Sequence, residues 1–302
     1  MLAPLLHRHE TAVHPARVVV LGSRGFVGSH TVAHLQSLGM AVEAVTSSDV
    51  DLSEPASTDA LRQRLRRDDV VVFVSALTPD RGRDIATLMR NLRMAEHVGV
   101  VLAEGPCAHV VYIGSDAVYA DAASLVNEAS VTSPSSLHGL MHVARERMLQ
   151  ESLKASATPL VCLRPSLLYG AGDTHNGYGP NRFLRTAVTD GRIALFGNGE
   201  EKRDHVFIGD LANVVGLAVQ HRSEGVLNVA TGVSWSFADV AARIAAQSGG
   251  GVAIDHRARA AGPITHRHFD VTAMLKAFPD FRYTSLADGI RFLWPAIAAG
   301  RG

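Results

Sequence analysis

Short apolar runs alternate along the first half of the chain with stretches whose apolar residues recur every three or four positions. Arg17–Leu21 (RVVVL), Met40–Thr46, Val70–Ala76, His109–Gly114 and Leu160–Arg164 have the near-continuous apolar character of buried strands. Between them, Ser29–Leu38, Pro55–Arg67, Ile85–Ala103 and Ser136–Lys154 carry helical spacing, and Gly39 closes the first. Asp51–Leu52 is expected to open a further short strand. Alternation of strand and helix over roughly 150 residues predicts an α/β fold, a doubly wound, Rossmann-like parallel sheet.

The texture changes after Pro165. Tyr169–Pro180 (YGAGDTHNGYGP) is a long loop dense in glycine and polar residues, and such loops are often functional. Helices, loops and short strands follow, with one return to the sheet near Val226–Val229 (VLNV). The expected division is a loose N-terminal leader (1–16), a dinucleotide-binding domain (17–168, with the return strand) and a smaller, mainly substrate-binding lobe (169–302).

Composition narrows the partners. An apolar content of 47% with 19% charged residues is that of a globular protein, and a formal net charge of zero gives no global attraction to nucleic acid or to an anionic membrane. No apolar run approaches the ~20 residues of a membrane span, and the N-terminal segment lacks the basic start and apolar core of a secretory signal. Cys107 and Cys162 lie in apolar surroundings, which fits reduced thiols in a cytoplasmic protein. The pairs His7/His9 and His266/His268 have no third ligand at useful spacing, so no metal site is expected.

Gly22-Ser23-Arg24-Gly25-Phe26-Val27-Gly28 follows the first strand and opens the first helix. Glycines at that spacing allow a tight turn, a close backbone approach to a pyrophosphate and close helix–sheet contact, while the helix N-terminus offers unpaired N–H groups. An NAD site would carry Asp or Glu at the end of the second strand to hold the ribose 2′-hydroxyl. Thr46 holds that place here, and Arg24 can pair with a 2′-phosphate, so NADP is preferred. The alternative is NAD with Asp49 on the ribose. Asp51 and Leu52 are expected along the adenine.

These residues resemble the extended short-chain dehydrogenases/reductases, specifically their NAD(P)-dependent nucleotide-sugar epimerase/dehydratase/reductase group, from about Arg17 to Trp294. The loop GSRGFVGS looks like that of the NADP-using GDP-fucose synthase branch. Asn91 matches a position where the family usually has Asn, and Ser75, Ala76 and Leu77 fall among its cofactor-binding positions. Ile113-Gly-Ser115-Asp-Ala-Val-Tyr119 is similar to the S/T-x-x-V-Y segment, which would make Ser115 the catalytic-site hydroxyl. Leu163-Arg-Pro165-Ser-Leu167-Leu-Tyr169-Gly170 resembles the strand and turn after the nicotinamide, implying cofactor contacts from Pro165 and Leu167. The stretch from Gly197 through Arg203-Asp204 to Asp210 resembles the family's G-x-G-x-x-x-R-D segment. The resemblance implies a nucleotide contact for Arg203 and a diphosphate contact for Asn181. An internal pair of Arg203 with Asp204 or Asp210 is the alternative. Relatives often dimerise through the helices equivalent to Ile85–Ala103 and Ser136–Lys154.

One departure stands out. Where relatives carry Tyr-Gly-x-x-Lys, this chain has His138-Gly139-Leu-Met-His142. In the family, Tyr moves a proton at a sugar hydroxyl, and Lys holds the nicotinamide ribose and lowers the Tyr pKa. Residues four apart share a helix face, so both imidazoles are expected in one cleft, with His138 as proton carrier and His142 donating to the ribose. At an ordinary pKa of ~6.5, His138 would lose base activity as pH falls below that value. Two functions follow: an NAD(P)-dependent nucleotide-sugar epimerase, dehydratase or reductase with a His/His site, or a non-catalytic binder of the same ligands. Tyr119 and Asp116 are further candidates for the acid. Reduction of a small carbonyl unrelated to sugars would leave the RDHVFIGD stretch without a purpose.

Overall fold

The computed structural model describes residues 3–105, 107–121 and 125–300. Its main sheet has seven strands: β1 (Leu6–His7), β2 (Arg17–Leu21), β3 (Val42–Val45), β4 (Asp69–Phe73), β5 (His109–Ile113), β6 (Leu160–Pro165) and β7 (Ser223–Val229). Their spatial order is β1-β7-β6-β5-β4-β2-β3, parallel throughout except for β1. The helices that bury its faces are α1 (Phe26–Ser37), α2 (Ser57–Arg64), α3 (Ile85–Glu104), α4 (Leu137–Leu153) and, after α5 (Pro180–Asp190) in the smaller lobe, α6 (Ile208–Gln220).

Strand periodicity sorts the core. Val18 and Val20 of β2 point to the side holding α1 and α6, whereas Val19 and Leu21 point to α2, α3 and α4. Both sets are fully buried, which is why these strands read as unbroken apolar runs. Because β3 and β4 lie on opposite sides of β2, the strand order reverses there. A crevice forms at such a reversal at the strands' carboxyl ends.

The smaller lobe has its own core, in which Tyr169, Phe183 and Leu184 meet Phe237, Val240 and Leu293. Lys202–Phe207 links the two regions by pairing with Leu167–Tyr169 immediately after β6.

Two local expectations are corrected. Asp51–Leu52 does not form a strand: the Asp51 carboxylate accepts from the amide and hydroxyl of Ser53, and this local turn competes with extended pairing. The N-terminal segment is not loose, since Leu6–His7 adds an antiparallel edge strand to β7 and Arg8 pairs with Glu224.

Candidate active site

The glycine loop forms a cradle in which Gly22 and Gly28 leave no room for a Cβ. Gly22 has φ +95°, and a Cβ there would lie 2.8 Å from the amide nitrogen of Ser75; a Cβ on Gly28 would lie 2.1 Å from the Gly22 carbonyl. Helix α1 begins at Phe26 behind Gly25, which supplies no side-chain cap, so the first amides of the helix are left for a ligand. This geometry fits a dinucleotide pyrophosphate. At the end of β3, Thr46 is bound through both its amide and its hydroxyl to Asp49, at 2.9 and 2.6 Å. Those bonds hold the Asp49 carboxyl below its ordinary range, and Arg24 and Arg64 add to the effect.

Ser75, Ala76 and Leu77 run past the cradle. Asn91 of α3 fixes them by accepting from the Leu77 amide at 2.8 Å and donating to the Leu77 carbonyl at 2.9 Å. Next to them, a cavity of about 390 Å³ is lined by Leu77, Arg83, Asn91, His138, Met141 and His175, among others.

Ser115 and α4 meet through Gly139. A Cβ on that glycine would stand 2.1 Å from the Ala117 carbonyl, so any other residue would push α4 away from the Ser115 turn. The Ser115 hydroxyl accepts from the Ala117 amide at 3.1 Å. His138 and His142 share one face, with ring centres 4.7 Å apart and edge to face. Their environments differ. His138 lines the cavity, and burial, helped by the charges of His175, Arg145 and Arg83, pushes its pKa down to about 4. His142 is only 4% exposed, and its Nδ1 is 2.7 Å from the Tyr112 phenol. The expectation that His142 serves the ribose is thus corrected for one of its two nitrogens, which is spent inside the core.

Sequence reasoning missed Arg145, wholly buried seven residues after His138 and on the same helical face. Its guanidinium donates to the Ser75 carbonyl at 2.7 Å and lies over the Phe73 ring. Spacing could have flagged it; its burial without a carboxylate could not be read from the chain.

Several expected site residues have structural partners. Asn181, expected at a diphosphate, is 4% exposed; it accepts from the Gly170 amide and donates to Asp173, so both ends of its amide are used. Tyr119 donates to Asn228 and accepts from Arg164, which is also paired with Glu146, so it is locked away from proton transfer at the cleft. Asp116 faces Arg267 at 3.6 Å. Arg203 binds neither Asp204 nor Asp210: it donates to the Lys202 and Thr265 carbonyls and to the Thr265 hydroxyl. Asp204 caps Thr231 and Gly232, and Asp210 holds Thr284. Pro165 ends β6 in register with Val229, and Leu167 pairs with His205.

A second cavity, of about 500 Å³, lies in the smaller lobe between Tyr178, Phe196, Phe237, Glu201 and Arg259. Arg259 was not singled out from the sequence, because it sits in an irregular segment without periodicity. Among the described residues, no helix is long and apolar enough to cross a membrane, and no three His, Cys, Asp or Glu are grouped to hold a metal.

Comparison with known proteins agrees with this architecture. Residues 18–230 match the NAD dependent epimerase/dehydratase family. A UDP-glucose 4-epimerase of Halalkalibacterium halodurans is 25% identical over 261 residues, covering 74% of this chain and 78% of that protein. The NAD dependent NDP-hexosamine 5,6-dehydratase TunA, involved in tunicamycin biosynthesis, superimposes with a TM-score of 0.83 at 21% identity, over 95% of this chain and 99% of its own. The UDP-glucose 4-epimerase of Thermus thermophilus, solved with NAD, gives a TM-score of 0.78 at 19% identity, over 93% and 98% of the two chains. With a tight glycine turn at the first helix, a parallel sheet and a family match over most of its length, the chain belongs to the NAD dependent epimerase/dehydratase family, an extended short-chain dehydrogenase/reductase group.

Proposed function

We propose that this protein binds a nicotinamide dinucleotide along the carboxyl edge of its sheet and a nucleotide-linked sugar beneath the smaller lobe, and that it epimerises, dehydrates or reduces the sugar. The observation that carries this reading is the cavity beside Ser75–Leu77, which has His138 on its wall and the Ser115 turn held against the same helix by Gly139. The cradle of Gly22, Gly25 and Gly28 would hold the pyrophosphate, with Ser23, Phe26 and Val27 around it and Thr46 toward the adenosine ribose. The bound nicotinamide supplies hydride acceptance and donation.

The chain's own residues do the rest. Ser115 holds the reacting oxygen, and His138 stands where the family has Tyr and accepts the proton. Because burial places the His138 pKa near 4 rather than near the free value, His138 stays neutral through the ordinary pH range. For His138 alone, the expected loss of base activity therefore moves from about pH 6.5 to near pH 4. Arg203 reaches toward the nucleotide.

NADP is the proposed cofactor, since Arg24 is exposed in the cradle and Asp49 is turned onto Thr46. A homodimer through α3 and α4 is part of the reading, with Ile85 and Met89 exposed on α3. The test is calorimetry with NAD⁺ and NADP⁺, followed by UDP-glucose and measurement of reduced nicotinamide. Binding of neither dinucleotide would end this reading.

A specific observation favours the second reading, a binder without turnover. His142 gives one nitrogen to Tyr112 and carries no fixed charge toward the cleft. That reading expects dinucleotide uptake without hydride transfer.

A further inference from the structure

The cavity beside α4 has a second imidazole on its wall. His175 comes from the glycine-rich loop after β6, and Asp80, in the loop after β4, brings its Oδ1 to 3.2 Å from His175 Nδ1. The Thr78 hydroxyl donates to the same carboxylate oxygen and fixes it. Burial pushes the Asp80 carboxyl up, but the bonds from Thr78 and His175 outweigh it, so the group lies below its ordinary range. With Nδ1 engaged, Nε2 is left for a ligand. Gly177 has no side chain beside it: a Cβ there would stand 2.9 Å from His175 Cδ2 and 3.3 Å from Nε2. The other charged or titratable groups on this wall are Arg83, Asp84 and His138.

A sugar hydroxyl that becomes a carbonyl gives up a proton for as long as the keto intermediate lasts. His138, in its desolvated position, accepts a proton but holds it weakly. We propose that His175, oriented by Asp80, is the group that stores this proton and returns it, completing the acid–base pair of the cavity. The assignment rests on the nucleotide-sugar reading above. The hydroxyl O–H bond breaks as one ring nitrogen of His138 gains the proton, and His138 releases a proton from its other nitrogen. His175 Nε2 takes that proton, and the imidazolium is balanced by the Asp80 carboxylate. Return of the proton reverses each bond change. A carboxylate behind an imidazole is the arrangement that steadies imidazolium in hydrolytic triads.

The test uses the full chain with NADP⁺ or NAD⁺ and UDP-glucose as probe. His175→Gln should lower kcat by roughly 100-fold with KM little changed, and Asp80→Asn should lower it by roughly tenfold. Both side chains lie on loops, with 40% and 17% of their surface exposed, so neither replacement opens the core. A second measurement needs no turnover: diethyl pyrocarbonate should modify His175 in the free protein, and dinucleotide plus UDP-glucose should protect it, as read by peptide mass spectrometry. A His175→Gln protein turning over at the wild-type rate would overturn the assignment and leave the nucleotide-sugar reading standing. Modification of His175 at an equal rate with both ligands bound would do the same. Wild-type protein that binds both ligands yet shows neither transient reduced nicotinamide nor conversion of the sugar nucleotide would overturn both.

Discussion

The phenol oxygen of Tyr112 stands 2.7 Å from Nδ1 of His142, sealed between β5 and α4. Tyr112 reaches α4 because its place on β5 turns it to the face that packs α3 and α4. One turn beyond His142, Arg145 lays its guanidinium 4.2 Å from the centre of the Phe73 ring and 5.4 Å from that of Tyr112. Among the described residues its Nε has no partner. Arg145 thus sets a cation three residues beyond His142, where it opposes protonation of His142 and His138.

Tyr112→Phe should destabilise the protein by about 1–3 kcal/mol, because His142 Nδ1 would be left buried without a partner. Urea unfolding at neutral pH reads this directly. Histidine ¹⁵N NMR adds a second check. Burial raises the Tyr112 phenol above its ordinary range and keeps its proton in place to donate, so the wild type should carry its His142 proton on Nε2. A proton found on Nδ1 would refute that assignment.

Restoring the family pair alone should fail. His142→Lys places an ammonium beside Arg145, where the buried acid that acts on Tyr112, Glu146, is already paired with Arg164, and a buried unpaired charge costs about 3–5 kcal/mol. His138→Tyr with His142→Lys should therefore express as a weakened fold, and adding Arg145→Ala should recover stability. If the triple variant turns over sugar nucleotides and the wild type does not, the non-catalytic reading is correct. An unaltered melting temperature in the double variant would show that Arg145 exerts no such field.

Stability should fall with acid through a window set by buried histidines. Burial lowers His109 to about 4 and His205 to about 3, against an ordinary value of 6.5. Between these values the unfolded chain binds more protons than the folded one. The stabilisation is therefore complete above about pH 6.5 and is lost as pH falls through about 4. For His109, fully buried against the Ser223 carbonyl, the loss is on the order of 3 kcal/mol. Urea midpoints across this range should slope less steeply in His109→Gln, and identical slopes would exclude His109 as a source.

Arg24→Ala should weaken NADP⁺ binding by roughly tenfold and leave NAD⁺ binding nearly unchanged, as expected for loss of one charge-assisted phosphate contact. Titration calorimetry at low and high salt separates the two. Equal loss for both dinucleotides would assign Arg24 to the pyrophosphate instead.

Much of the framework was legible because it is local. Arg17–Leu21 and Leu160–Pro165 declare themselves as runs of apolar residues, and Gly22, Gly25 and Gly28 declare a turn by their spacing. The shared face of His138 and His142 follows from helical geometry alone. Asp51–Leu52 misled because a side chain satisfied the backbone that a strand would have used. Asn181 and Tyr119 carry the residue types that the resemblance pointed to, but their hydrogen bonds run to Asp173, Gly170, Asn228 and Arg164, partners that no sequence pattern names.

By itself, then, the sequence determined the strand–helix alternation, the glycine turn and the His138–His142 spacing, each written within a few residues of chain. Only the tertiary structure decided what surrounds them. Asp80 meets His175 across 95 residues of chain and Tyr112 meets His142 across 30, and Arg145 is buried by packing against β4 and β5. Burial and cross-chain contact set the charge and proton affinity of a side chain, and neither is a property of its neighbours in sequence.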